Sequence, residues 1–110
     1  MQAQYRLKQN RQYQYVYRHG KSYAAKEISL ICVKSSSVKV GFSVSKKIGN
    51  AVVRNRVKRR LRECFRPYIH GIKPGSYVVA ARIGAADTTY QALEKSLRYL
   101  LKKHDAFLKD

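Results

Sequence analysis

The sequence predicts one α+β domain, a sandwich of helices on a single sheet in the order α-β-β-β-α-β-α, and three observations carry that prediction. The first is size and composition: 110 residues, 45% of them apolar, suffice for one buried core and exceed what a disordered basic tail would hold. The second is the strict alternation of Val38, Val40, Phe42 and Val44 with Lys39, Gly41, Ser43 and Ser45. The third is that segments of helical period flank this alternation, set off by Gly and Pro. Residues 1–110 read as a single domain, because no internal repeat, Pro/Gly linker or low-complexity tract interrupts them beyond Ser35-Ser36-Ser37.

Each element follows from its residues. Tyr13, Val16 and Tyr17 at i, i+3, i+4 spacing predict a short helix over residues 10–19, with Gly20 placed to end it as a left-handed cap. A weak strand is expected around residues 22–25. Residues 28–33 are β-rich, and with the alternating run they predict two strands joined across the Ser triplet as a hairpin. Gly49-Asn50 stops the second strand and supplies an N-cap for a helix over 51–66, ended by Pro67. Residues 68–76, with Gly71, Pro74 and Gly75, read as a loop, and the continuous apolar run 77–81 reads as a buried strand. Thr88 and Gln91 have the form of a capping box opening a last helix, whose Leu93, Leu97, Leu100 and Leu101 make a core stripe.

Charge narrows the function. Twenty-four Lys and Arg against six Asp and Glu leave +18, a self-repelling balance that calls for a polyanion. The charge is uneven: residues 1–62 hold sixteen bases and the single acid Glu27, for +15, while residues 63–110 hold eight bases and five acids, for +3. The polyanion site is therefore expected in the first 62 residues. No run approaches the roughly 18 apolar residues of a membrane span, and the polar, basic opening residues are unlike a secretory signal, so a cytoplasmic protein without a membrane partner is expected. Cys32 and Cys64 are too few for a disulfide framework or a zinc site and are expected as buried thiols.

The most informative stretch lies between residues 46 and 62. On a helical wheel Val53, Val57, Leu61, Cys64 and Phe65 share one arc that docks on the sheet, bordered by Arg54 and Arg60. Asn55, Arg56, Lys58, Arg59, Arg62 and Arg66 occupy the solvent arc, with no acid before Glu63. Arg54, Lys58 and Arg62 are like charges at i, i+4, an arrangement that costs a few tenths of a kcal/mol per pair unless an external anion offsets it. Arg forks and a helix N-terminus near Asn50 both suit phosphate. A second constellation is aromatic: Tyr13, Tyr15 and Tyr17 crowd the first helix among Arg11, Arg18 and Lys21. Tyr13 and Tyr17 share a face and either pack on the sheet or, beside the small, basic strand face of Lys39, Gly41, Ser43 and Ser45, stack unpaired bases. The scattered acids and His19, His70 and His104 offer no catalytic constellation, so no catalytic or metal-ligating residue is expected in the protein.

The run Val40-Gly41-Phe42-Ser43-Val44-Ser45-Lys46-Lys47-Ile48-Gly49-Asn50-Ala51-Val52-Val53-Arg54-Asn55-Arg56-Val57-Lys58-Arg59 closely resembles the signature region of the bacterial ribonuclease P protein subunit. Arg6-Leu7-Lys8, Tyr13, Tyr17 and Arg18-His19-Gly20 resemble that family's opening helix, with Tyr where the family often has Phe. The resemblance implies a ribosomal-protein-S5-like sandwich with a left-handed βαβ crossover, against the general right-handed rule. It also implies a subunit that joins a catalytic RNA and promotes removal of the 5′ leader from precursor tRNA. The RNA would hold the catalytic Mg²⁺, and no obligate protein partner is implied. Carried over by position, Lys46, Lys47, Arg54, Asn55, Arg56, Lys58, Arg59 and Arg62 would face the catalytic RNA, while Tyr13, Tyr17, Lys39, Ser43 and Ser45 would line the leader cleft. The rivals are a general or ribosome-associated RNA-binding protein and a self-sufficient metal-dependent nuclease.

Overall fold

A computed structural model describes residues 2–109. The chain runs α1 (Asn10–His19), β1 (Lys21–Ala24), β2 (Ile28–Lys34), β3 (Val38–Ser43), α2 (Ala51–Phe65), β4 (Gly75–Ala81) and α3 (Tyr90–Lys103), with short 3₁₀ turns between. The four strands form one sheet in the spatial order β1-β2-β4-β3. β2 pairs antiparallel with both β1 and β4, and β3 pairs parallel with β4. The predicted order of elements holds, but the predicted hairpin between β2 and β3 does not. Alternation fixes which face a strand buries, not which strand it pairs with, and β4 enters between the two.

β4 is central and covered on both sides, which is why its sequence is a continuous apolar run. On one face Ile28, Leu30, Val40, Tyr77 and Val79 meet Val57, Leu61, Cys64 and Phe65 of α2 and the leucine stripe of α3. On the other, Ile31 and Val78 meet Leu7 and Val16, with Tyr13 packed alongside. The predicted stripe of α3 is fully buried, each of its four leucines at 2% exposure or less. Both thiols are free, and burial pushes Cys32 up to about 12 and Cys64 up to about 11.

Val40 fixes the hand of the β3-α2-β4 unit. Its carbonyl accepts from the Leu7 N–H at 3.0 Å, on the side away from β4, while its side chain lies in the cluster under α2. Viewed from that face with β3 running upward, an L-residue directs its carbonyl to the right. β4 therefore lies to the left, and the crossover is left-handed, contrary to the usual rule.

Three local expectations need correcting. Gly20 is not left-handed: its φ is −83°, and glycine is required because a β-carbon would stand 2.5 Å from the Val16 carbonyl oxygen and 2.8 Å from Ile31 Cγ2. Pro67 ends α2 but does not open a loop, since it sits in the first turn of a 3₁₀ segment over Arg66–Gly71, where its missing N–H has no partner to lose. The cap of α3 is Thr89 rather than Thr88, its side chain accepting from the Ala92 N–H at 3.1 Å.

Candidate nucleic-acid interface

α2 begins where the sequence places it, with the Asn50 side chain accepting from the Val53 N–H at 3.0 Å. Val57, Leu61, Cys64 and Phe65 anchor the helix and Val53 is half-buried, so the predicted docking arc is the one used. Asn55, Arg56 and Arg59 stand exposed, as do Lys46 and Lys47 in the 3₁₀ turn before the helix. Arg54, Lys58 and Arg62 are half-buried along one flank. The Arg54 Nε is buried without an acceptor. Arg60, on the border of the arc, donates to the Thr88 carbonyl at 3.4 Å and so ties α2 to the start of α3.

Among the described residues none of these bases is held in an ion pair. The ion pairs among the described residues join Arg66 to Glu63, Lys73 to Asp105 and Arg98 to Glu94, all beyond residue 62. Hydrogen bonds from Tyr68, at 2.5 Å, and from Arg98 hold the Glu94 carboxyl below the usual carboxylate range. Glu27, the one acid of the first 62 residues, accepts instead from the Ser96 hydroxyl at 2.6 Å. Four of the five acids among the described residues are thus already paired or hydrogen-bonded to other groups, and the outer face of α2 carries a strong positive potential.

The second constellation is built around Gly41. The Tyr13 ring lies over this residue, so close that a β-carbon would stand 2.5 Å from Cε1, and its hydroxyl accepts from the Phe42 N–H at 3.3 Å at the outer edge of β3. Arg6 bridges to Val40 along the same edge. A crevice of about 70 Å³ there is lined by Arg6, Tyr13 and Phe42 together with Lys58 and Arg62 of α2. The two predicted constellations are therefore contiguous across the β3 edge.

Because α1 crosses the sheet at Gly41, it divides the strand face read from the sequence. Cross-strand register sets Ser43, Ala80, Ser29 and Ala24 in one row on this face and Lys39, Ser76 and Val33 in another, with Gly41 and Val78 between them. Tyr17, 42% exposed, lies by helical phase on the Ser43 side, opposite Gln12 and Tyr15. Tyr13, Tyr17 and Ser43 thus share a small-floored cleft with Ser45 exposed beyond its end, whereas Lys39 stands on the other flank and donates to the Gln4 carbonyl. Ser29 and Ala80 join the cleft without having been singled out, and Arg6, read from the sequence only as part of the opening segment, lines the crevice at the β3 edge. The signal for Ser29 was a small polar residue between Ile28 and Leu30, legible only once β2 and β4 are known to be neighbours.

Among the described residues no helix is long and apolar enough to cross a membrane. The chain matches the Ribonuclease P family over residues 1–105. It is 40% identical over 112 aligned positions to the ribonuclease P protein component of Staphylococcus carnosus, covering 99% of this chain and 97% of that one. With the corresponding protein of Listeria welshimeri it shares 42% identity over 106 positions, 93% and 89% of the two chains. Among solved structures, the RNase P protein of Staphylococcus aureus superposes with a TM-score of 0.86 at 36% identity, covering 94% of this chain and 98% of that one. The RNase P protein of Thermotoga maritima, solved with 1-(4-fluorophenyl)-2-thiourea, does so at 0.80 and 27%, covering 88% and 97%. A helix with no acid before Glu63, joined to an aromatic cleft on a sheet with this left-handed crossover, and likeness along nearly the whole chain place the protein in the family of bacterial ribonuclease P protein components.

Proposed function

We propose that the chain binds the catalytic RNA of ribonuclease P through the exposed face of α2 and holds the 5′ leader of precursor tRNA in the cleft beside Tyr13 and Tyr17, promoting cleavage by the RNA. The observation that carries this reading is the continuity of the two surfaces at the β3 edge, where Lys58 and Arg62 meet Tyr13 in one crevice. Phosphates set along α2 fix the protein's position, and an unpaired strand leaving that contact enters a cleft whose floor of Ser and Ala admits a base against a Tyr ring. Mg²⁺ belongs to the RNA in this reading. A hard cation wants several oxygen ligands, and among the described residues no three His, Cys, Asp or Glu side chains come together.

The test is reconstitution. The chain alone should leave precursor tRNA uncut, and with the cognate RNA it should stimulate release of the leader at low Mg²⁺; no stimulation there refutes the reading. Cleavage without RNA, abolished by changing one acid, would instead support a self-sufficient nuclease. Tyr17→Ala should lower affinity for leader-bearing substrate by roughly fivefold or more, the equivalent of one lost stacking contact, and leave mature tRNA unaffected.

A further inference from the structure

We infer that the opposite flank of α1, centred on Tyr15, is a second groove that takes single-stranded RNA. Two concavities meet there. One, of about 590 Å³, is lined by Arg11, Tyr15, Lys34, Lys39, the Ser35–Ser37 turn and Ser76; the other, of about 410 Å³, shares Arg11 and Tyr15 and adds Arg18 and His19. Both fall within the size of sites that hold small organic ligands.

Three features select the ligand. Arg11, Arg18, Lys34 and Lys39 line the two concavities and no acid does, so the occupant is an anion. Tyr15 stands 56% exposed on the ridge between them, its ring 4.5 Å from that of His19 and tilted by 42°, a two-ring platform with a face open to a flat partner. From Arg11 to Arg18 the helix rises about 10 Å, farther than one phosphate reaches. A polyanion that offers planar rings at intervals is a nucleic-acid strand, and bases free to lie on Tyr15 are unpaired ones.

This groove is separate from the leader cleft. Tyr13 closes the sheet surface over Gly41 between them, so a strand segment lying against Lys39 and Ser76 is a different segment from one lying against Ser43 and Ala80. Nothing in the catalytic-RNA reading is required for it, since the groove belongs to the protein alone.

The experiment uses the full chain without the catalytic RNA and a fluorescein-labelled single-stranded adenine decamer, in the Tyr17→Ala background to weaken the first cleft. Fluorescence anisotropy should show the decamer still bound, and adding Tyr15→Ala should weaken binding about fivefold or more, with Tyr15→Phe close to the parent. Arg11→Gln and Lys34→Gln should each lower the magnitude of the salt slope by roughly 0.7, the value for one phosphate on a single strand. A 4-thiouridine decamer should crosslink within residues 11–19 or 34–39. Affinity within twofold of the parent for Tyr15→Ala, together with unchanged salt slopes for both Gln variants, overturns the inference. So do crosslinks confined to α2, or equal loss of binding by a duplex decamer. Should Tyr15→Ala fail to fold by circular dichroism, the two surface Gln variants and the crosslinks decide alone.

Discussion

Replacing Gly41 by alanine asks whether α1 is seated on the sheet by a missing side chain. The added β-carbon would stand 2.5, 2.6 and 2.7 Å from Cε1, Cζ and Oη of Tyr13. Atoms in ordinary contact lie about 3.5–4.0 Å apart, so the ring must withdraw by about 1 Å. Withdrawal breaks the 3.3 Å hydrogen bond that the Phe42 N–H donates to the Tyr13 hydroxyl, worth roughly 0.5–1.5 kcal/mol net. Overpacking adds a strain of roughly 1–3 kcal/mol, nearer the lower end because a half-buried ring can swing outward. A loss of about 2 kcal/mol is expected in urea denaturation of the free protein, with weaker binding of leader-bearing substrate by the reconstituted complex. Removing the ring should cancel the strain: in Gly41→Ala with Tyr13→Ala the two costs should fall short of their sum by more than about 0.5 kcal/mol. Stability within about 0.5 kcal/mol of the parent for Gly41→Ala alone, with unchanged leader affinity, would refute the reasoning.

Three further outcomes follow from the same structure. Arg59→Ala, at an exposed position of α2, should weaken assembly with the catalytic RNA and reduce the magnitude of its salt slope by about one phosphate, read from binding at several salt concentrations. His104 donates from Nε2 to the Leu30 carbonyl at 2.7 Å, yet burial holds its pKa below the ordinary imidazole value. The unfolded chain, whose imidazole titrates near about pH 6.5, therefore takes up a proton at higher pH than the folded protein does, so stability should fall as pH drops through that value, and His104→Gln should flatten that fall in denaturation measured between pH 7.5 and 5.5. Burial raises both thiols, Cys32 to about 12 and Cys64 to about 11, so at pH 8 a chromogenic disulfide should react slowly with half-buried Cys32 and with buried Cys64 only at the rate of unfolding.

Element types were legible because they are local. Periodicity located α1, β3 and the docking arc of α2, the Leu stripe located α3, and the unbroken apolar run of β4 already said that both its faces are covered. Pairing was not local. The Ser35–Ser37 turn suits a hairpin as well as it suits the link actually present between β2 and β3, and only the packing of α2 and α3 decides that β4 lies between them. The same blindness explains the site. Lys39 and Ser43 alternate on one strand face, but whether they share a cleft depends on where α1 crosses, and the crossing point is set by Gly41 beneath Tyr13. The basic character of α2 was plain from charge alone; the turning of Lys58 and Arg62 toward the sheet edge required the fold.

The strand at the heart of the sheet is the last strand to be synthesised. Until Ala81 has left the ribosome, β2 has only β1 beside it and β3 has no strand partner at all. α1, made first, rests on side chains from β2 and β4 and reaches β3 through Tyr13, so on a shorter nascent chain its seat lacks Val78 and the strand that holds β2 and β3 in place. Most of the contacts that shape the aromatic cleft join residues far apart in sequence, and such contacts form late. A product truncated before β4 would carry nearly all of the positive charge and none of the groove, binding RNA without discrimination. Placing the final strand in the middle makes selective recognition a property of the completed polypeptide.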